Sequence, residues 1–384
     1  MKKRLLRSLT VIVTLAVVLV SCDELLPFWE DAIQLEPANS FIISSPGLYA
    51  FSPVKGNSSD PVGSVTSAEV LWESFGTDQV PAKGAIVAQA GFSAADNAIL
   101  FKMPAHLKNG NAVIAAKDYT GKILWSWHIW VCEGWDPEET AHTYYNDAGV
   151  IMDRNLGATS ATPGEVTSLG LLYQWGRKDP FLGASSLSEN TEAASTLQWP
   201  ESVLSTAKTG TIDYAVAHPT TYIASIEKSY DWYYTGEFST DNTRWQDEKT
   251  VFDPCPAGWR VPVGPTREHN GFWNKACQRQ FVICEPDEAH FGVNMTQVFG
   301  EADPIWYPFT GFRTDMEGEL YAVGRNAGLW TSTADPDEAD PNAKVMAFGL
   351  DFSYTQQGDI MAFLAIDYFR AFAHSVRCVK DEGR

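Results

Sequence analysis

The six cysteines are the residues of this chain best suited to chemistry, and their surroundings differ. Cys255 sits in Asp253-Pro254-Cys255-Pro256-Ala257-Gly258-Trp259-Arg260-Val261-Pro262, where two prolines, a glycine and a large aromatic crowd one thiol. Cys378 lies in the apolar-alternating run Ser375-Val376-Arg377-Cys378-Val379-Lys380 and offers Cys255 a partner. A bridge between them would close a loop of well over 100 residues, for which chain entropy gives roughly 4–5 kcal/mol as an upper figure. Cys277 and Cys284 stand seven apart, a spacing at which exported thiols pair or simply pack, and Cys132 follows a tryptophan-rich strand. No nucleophile elbow, zinc-protease helix, phosphate loop or dinucleotide fingerprint is present, and the seven histidines show no ligand spacing.

The sixth cysteine belongs to the N-terminus. Lys2, Lys3, Arg4 and Arg7 precede the apolar run Leu9 to Val20, which is too short to span a bilayer. Val18-Leu19-Val20-Ser21-Cys22 then resembles a bacterial lipobox, so residues 1–22 are expected to be a lipoprotein signal peptide and Cys22 the lipidated residue and membrane anchor. Asp23-Glu24 resembles an acidic export signal, which places the mature chain on the outer membrane at the cell surface, where disulfides persist. With Cys22 taken, five cysteines remain and at least one thiol is free.

The chain carries 28 Lys and Arg against 48 Asp and Glu, a formal charge of -20 that becomes -24 once the four basic residues of the signal are removed. Such a surface repels phosphate backbones, so nucleic acid is not expected as a partner. Fourteen Trp, fourteen Tyr and twenty Phe, with 29 Gly and 21 Pro, point to a β protein rich in turns.

Short apolar runs must position these residues. After a tether over residues 23–36, strands are expected at Phe41–Ile43, Gly47–Phe51, Ala68–Trp72, Ala85–Ala88 and Ala98–Phe101. Two longer runs flank a turn at Asp118 to Gly121 as a hairpin over 111–131, and residues 37–132 together read as an all-β sandwich of immunoglobulin type. On its second strand Trp125, Trp127, Ile129 and Val131 share one face and Leu124, Ser126, His128 and Trp130 the other. The tryptophan face reads as core, with sugar stacking as the rival use. An acidic linker at 133–148 separates this module from residues 149–384, where Gly170 to Pro180 and Gly271 to Gln280 read as short helices and the end from Trp306 reads as strands.

Residues 149 to 381 resemble the Fibrobacter succinogenes major paralogous domain of surface lipoproteins. The matches, in the family's order, are Val150–Leu156, Leu172–Trp175, Cys255–Pro262, Phe309–Arg313, Trp330–Thr333 and Val376–Asp381. The resemblance implies an α+β, C-type-lectin-like domain with a bridge between Cys255 and Cys378. The first module is similar to those that accompany this domain in fimbrillin-like and adhesin proteins.

In such a fold a ligand site lies on the long loops, which makes Trp306, Tyr307, Arg313, Trp330 and Asp335 the candidate binding residues, with stacking faces and hydrogen-bond groups suited to a glycan. Each also has a plain structural use, the tryptophans as core and Arg313 as an ion pair. Glu285-Pro286-Asp287 resembles the lectin Glu-Pro-Asn motif and Trp273-Asn274-Lys275 the Trp-Asn-Asp motif, but in reversed order and with a lysine where an oxygen ligand is needed. The run Asp335 to Asp340 reads as a solvated loop. No metal, cofactor or catalytic set is therefore expected. The reading is a non-catalytic binding or adhesion lipoprotein for glycan or protein ligands. Its rivals are a pilus tip or anchor component that meets pilus subunits, and an enzyme of the formylglycine-generating kind using Cys277 and Cys284.

Overall fold

The computed structural model describes residues 31–76, 81–144, 147–187, 202–226, 230–234, 236, 241–266, 270–277, 282–297, 304–335, 346–354 and 360–383. Cys22, the expected signal peptide and the acidic run 336–340 lie outside the described residues. The chain is predominantly β.

The first module is two four-stranded sheets. One joins β1 (Ile33–Gln34), β3 (Leu48–Phe51), β5 (Gln89–Ser93) and β6 (Ala98–Lys102) in the order β1-β3-β6-β5. The other joins β2 (Ser40–Ile43), β4 (Ser67–Ser74), β7 (Gly110–Lys117) and β8 (Ile123–Val131) in the order β2-β8-β7-β4. Alternation along each strand sends one set of side chains inward, so Phe41, Phe51, Phe101, Ile114, Trp125, Trp127 and Ile129 meet in one core between the sheets. The expected strand at Ala85–Ala88 is absent. The Glu73 carboxylate instead accepts the backbone N–H groups of Ala85, Ile86 and Val87 at 3.0, 3.3 and 2.8 Å, which satisfies these buried donors without a neighbouring strand.

Among the described residues α-helix is confined to α1 (Pro137–Thr140), α2 (Ile212–Ala217) and α3 (Phe272–Ala276). The expected helix over 170–180 is a strand, Leu171–Gln174. Gly170 and Gly176 bracket it at φ of 78° and 79°, and all four residues are buried between neighbours, with no polar face to turn outward. It joins Phe181–Leu182, Ala373–Ser375, Asn326–Ala334, Met346–Tyr354 and Ile360–Phe369 in the largest sheet. The strands Val282–Asp287, Gly292–Gln297 and Ile305–Pro308 make a three-stranded sheet. A further sheet runs Trp259–Arg260, Val379–Lys380, Gly149–Ile151, His142–Tyr144, and so brings together the two cysteine motifs and the start of the second module.

Cys255 and Cys378 are bonded, with Cα atoms 6.0 Å apart and a separation of 123 positions in sequence. Asp253 shapes the loop, its carboxylate accepting from Cys255 N at 2.8 Å and Val261 N at 2.9 Å. Lys249 Nζ donates to the carbonyls of Cys255, Pro256 and Trp259.

Both faces of the β2-β8-β7-β4 sheet are covered. The outward set Val113 and Trp130 packs in the same cluster as Leu171, Trp175, Cys255 and Trp330 of the second module. The residues 133–148 therefore connect modules that share a core.

Candidate functional site

The candidate binding residues Trp306, Tyr307, Arg313, Trp330 and Asp335 fall in separate places. Trp330 is fully buried, and its indole N–H donates to Tyr173 O at 2.7 Å. Tyr307 is fully buried too, with its hydroxyl 2.7 Å from that of Tyr144 and its ring 3.8 Å beneath the Arg377 guanidinium. Trp306 is 7% exposed and lies against Gly292, where a Cβ would come within 2.4 Å of its ring nitrogen. Arg313 is turned inward, donating to Leu182 O at 2.9 Å and Gly318 O at 2.5 Å, and burial pushes its guanidinium down to about 10. Asp335 is half-exposed at the end of its strand and donates its backbone N–H to Met346 O. The aromatic faces of Trp330 and Tyr307 are thus occupied by protein, as core packing requires.

Several buried clusters carry reactive residue types. Lys178 Nζ lies 2.6 Å from both Ser126 Oγ and Asp179 Oδ1, and Ser126 Oγ donates to Asp179 at 2.5 Å. A serine beside a lysine is a nucleophile and base in outline. Here all three are at most 4% exposed and join the outer face of β8 to the second module, with Lys178 Nζ over the Trp125 ring at 4.6 Å. Burial lowers the Lys178 ammonium, and the Asp179 carboxylate opposes that shift. Beside them, His128 Nε2 donates to Asn111 Oδ1 at 2.8 Å, and Nδ1 lies 3.1 Å from Ser40 Oγ, which also reaches Pro254 O. Burial pushes this imidazole down to about 3.

A second cluster is ionic. Arg244 grips the Asp231 carboxylate with both terminal nitrogens, and Arg370 Nη1 stands 3.7 Å from the same carboxylate. Trp175 takes the Arg370 guanidinium on its ring at 4.5 Å. Arg377 donates to Asn155 Oδ1 at 2.9 Å and Trp306 O at 3.1 Å. These buried charges are in this way spent on internal bonds. His374 is boxed by Trp330, Tyr368, Phe312 and Phe372, and burial holds it at about 3. Among the described residues no group of three or more His, Cys, Asp or Glu could hold a metal ion.

An open groove of about 360 Å³ lies on the sheet that carries the bridge. Its apolar side is Tyr144, Val150, Phe272 and Val379, and its polar side is Arg260, Lys275, Lys380, Asp147, Asp381 and Glu382. Val150, Arg260 and Val379 to Asp381 come from three stretches far apart in sequence, brought side by side by strand pairing. Helix α3 forms one wall. Lys380 is held by Glu138 and lies 5.6 Å from the Trp259 ring, so the rim is partly ordered by its own ion pair. Its size falls within the range of small-molecule sites, and mixed charges beside aromatic edges suit a polar ligand held without covalent chemistry. None of these residues stood out as a site residue in sequence. The available signal was that charged residues alternate with core residues on the strands flanking both bonded cysteines.

In comparisons with known proteins, no family model, curated protein or solved structure matches this chain.

Proposed function

We propose that this chain is a non-catalytic surface lipoprotein that binds a glycan or protein ligand, with the groove beside the Cys255–Cys378 bridge as its contact site. The observation that carries the reading is the groove itself: an open concavity of about 360 Å³ that sets Phe272 and Val379 against a rim of both charges. The serine, lysine and arginine clusters that could suggest catalysis are buried and engaged with the protein's own groups. The finer architecture we infer is an immunoglobulin-like sandwich followed by a C-type-lectin-like domain. Two facing sheets support the first part, and a bridge between the middle and end of the second module supports the other. Anchorage through Cys22 at the outer membrane belongs to the same reading.

A glycan array with the soluble chain, run with and without EDTA, tests it. Binding that survives EDTA and is lost in Lys275→Glu is the expected result. Binding to no glycan and to no surface protein would shift the reading to a pilus tip or anchor, and turnover dependent on Cys277 and Cys284 would shift it to an enzyme.

A further inference from the structure

We propose that Cys277 and Cys284 form a second disulfide, a redox-convertible crosslink that ties α3, one wall of the groove, to the three-stranded sheet beside it. Cys277 closes the helix, its N–H donating to Trp273 O at 2.9 Å, and its side chain is 5% exposed. Cys284 stands opposite Met295 in the antiparallel pairing of Val282–Asp287 with Gly292–Gln297, and directly opposed residues share a face. Met295 is fully buried, and its Sδ takes the Tyr144 hydroxyl at 3.7 Å. Cys277, Tyr144 and Met295 belong to one apolar cluster, and Cys284 packs against it. The two sulfurs therefore enter the same cluster from two elements, with only six residues between the cysteines. Both are free thiols, whereas Cys132 is buried in a different cluster near the junction.

The oxidant is a small-molecule disulfide of the glutathione type. Cys284 is the more exposed thiol, so its thiolate attacks one sulfur of the oxidant, that S–S bond breaks, and one thiol leaves. The Cys277 thiolate then attacks the mixed disulfide at Cys284 Sγ, the new S–S bond forms, and the second thiol leaves. Two electrons and two protons pass from the cysteine pair to the oxidant. Burial pushes the Cys284 thiol up to about 11 and the Cys277 thiol well above its usual value, which makes the reaction slow at neutral pH and faster in alkali. The crosslink stands apart from the groove's role in binding. Its consequence, a fixed position for Phe272 and Lys275, rests on the groove being the site.

The test uses the full chain, gently reduced, then held with glutathione disulfide, acid-quenched, unfolded, alkylated and digested for mass spectrometry. The expected result is a peptide pair linking Cys277 to Cys284, accumulating roughly tenfold faster per pH unit below the Cys284 pKa, with Cys132 recovered fully alkylated. Cys277→Ser should trap a glutathione adduct on Cys284. Recovery of both cysteines as alkylated thiols, or a lasting adduct on wild-type Cys284 without a link, overturns the crosslink. Hydrogen exchange in α3 should slow on oxidation; a link that leaves it unchanged overturns the coupling to the groove.

Discussion

The junction between the modules and the groove on the bridge-bearing sheet are built from similar residue types with opposite outcomes. At the junction, Ser126, Lys178, Asp179, His128 and Asn111 are all buried and bonded, the first three to one another and His128 to Asn111. In the groove, Lys275, Asp381 and Glu382 line open space. A polar side chain becomes structural when its partners are protein atoms and solvent is excluded, because an unbonded polar group would then be costly. It stays available for a ligand where the sheet edge leaves a concavity. The contrast predicts that damage to the buried network appears as lost stability, and damage to the groove as lost binding.

Acid should break the buried side first and most strongly. His128 and His374 are held at about 3, against about 6.5 for an unfolded histidine. Their folded pKa values are depressed, so the unfolded state binds more protons below pH 6.5. Stability is full above that value and is lost as pH falls toward 3, by on the order of several kcal/mol for each imidazole. Asp253 acts in the opposite sense, since burial raises its carboxyl, and offsets part of this loss. A melting temperature lower by on the order of 10 °C at pH 4 than at pH 7 is the expected measurement, with a flatter profile in His128→Asn. Equal melting temperatures at the two pH values would show that the histidines are not sealed from solvent.

The bridge comes next. Cys378→Ser removes a crosslink spanning 123 residues and should lower stability by roughly 4 kcal/mol, read as a shift of the urea midpoint. An unchanged midpoint would mean that the sheet pairing Trp259–Arg260 with Val379–Lys380 holds the end of the chain unaided. Asp231→Asn should cost about 3 kcal/mol, because it removes the buried carboxylate that Arg244 grips and Arg370 faces. The lower end of the usual range applies, since both keep aromatic faces beneath them.

The sequence made the first of these regions more legible than the second. Alternation along Trp125 to Val131 placed the tryptophans in a core, and the turn at Asp118 to Gly121 marked a hairpin. What alternation cannot say is that the other face is also covered. Ser126, His128 and Trp130 look like an outward stripe until a second module covers it, with Asp179 accepting from Ser126 and the Ala158 carbonyl from Trp130. Gly170 to Pro180 reads as a helix because its glycines look like caps, but the same left-handed positions can bracket a buried strand. Trp330 and Tyr307 offer ring faces in sequence, which says nothing about which side of a strand they occupy. Groove residues such as Arg260 and Lys380 become neighbours only through pairing across more than 100 positions, a relation that no local pattern carries.

The smallest effect on the fold should come from Lys275→Glu, and it divides the two regions most sharply. Lys275 is half-exposed at the C-terminal end of α3 and lines the groove, so its replacement leaves the apolar cluster of Phe272, Trp273 and Cys277 intact. Surface changes of this kind stay within about 0.5 kcal/mol, and the loss of a cation from the last turn of so short a helix adds only a few tenths. A ligand that meets the rim would lose an attractive charge and gain a repulsive one beside Asp381 and Glu382, and a tenfold fall in affinity requires only about 1.4 kcal/mol. Calorimetric titration of an array hit against both chains, with melting curves alongside, separates the outcomes. Unchanged melting with weakened binding places the ligand in the groove, whereas unchanged binding moves it elsewhere on the molecule and leaves the groove as a feature of packing alone.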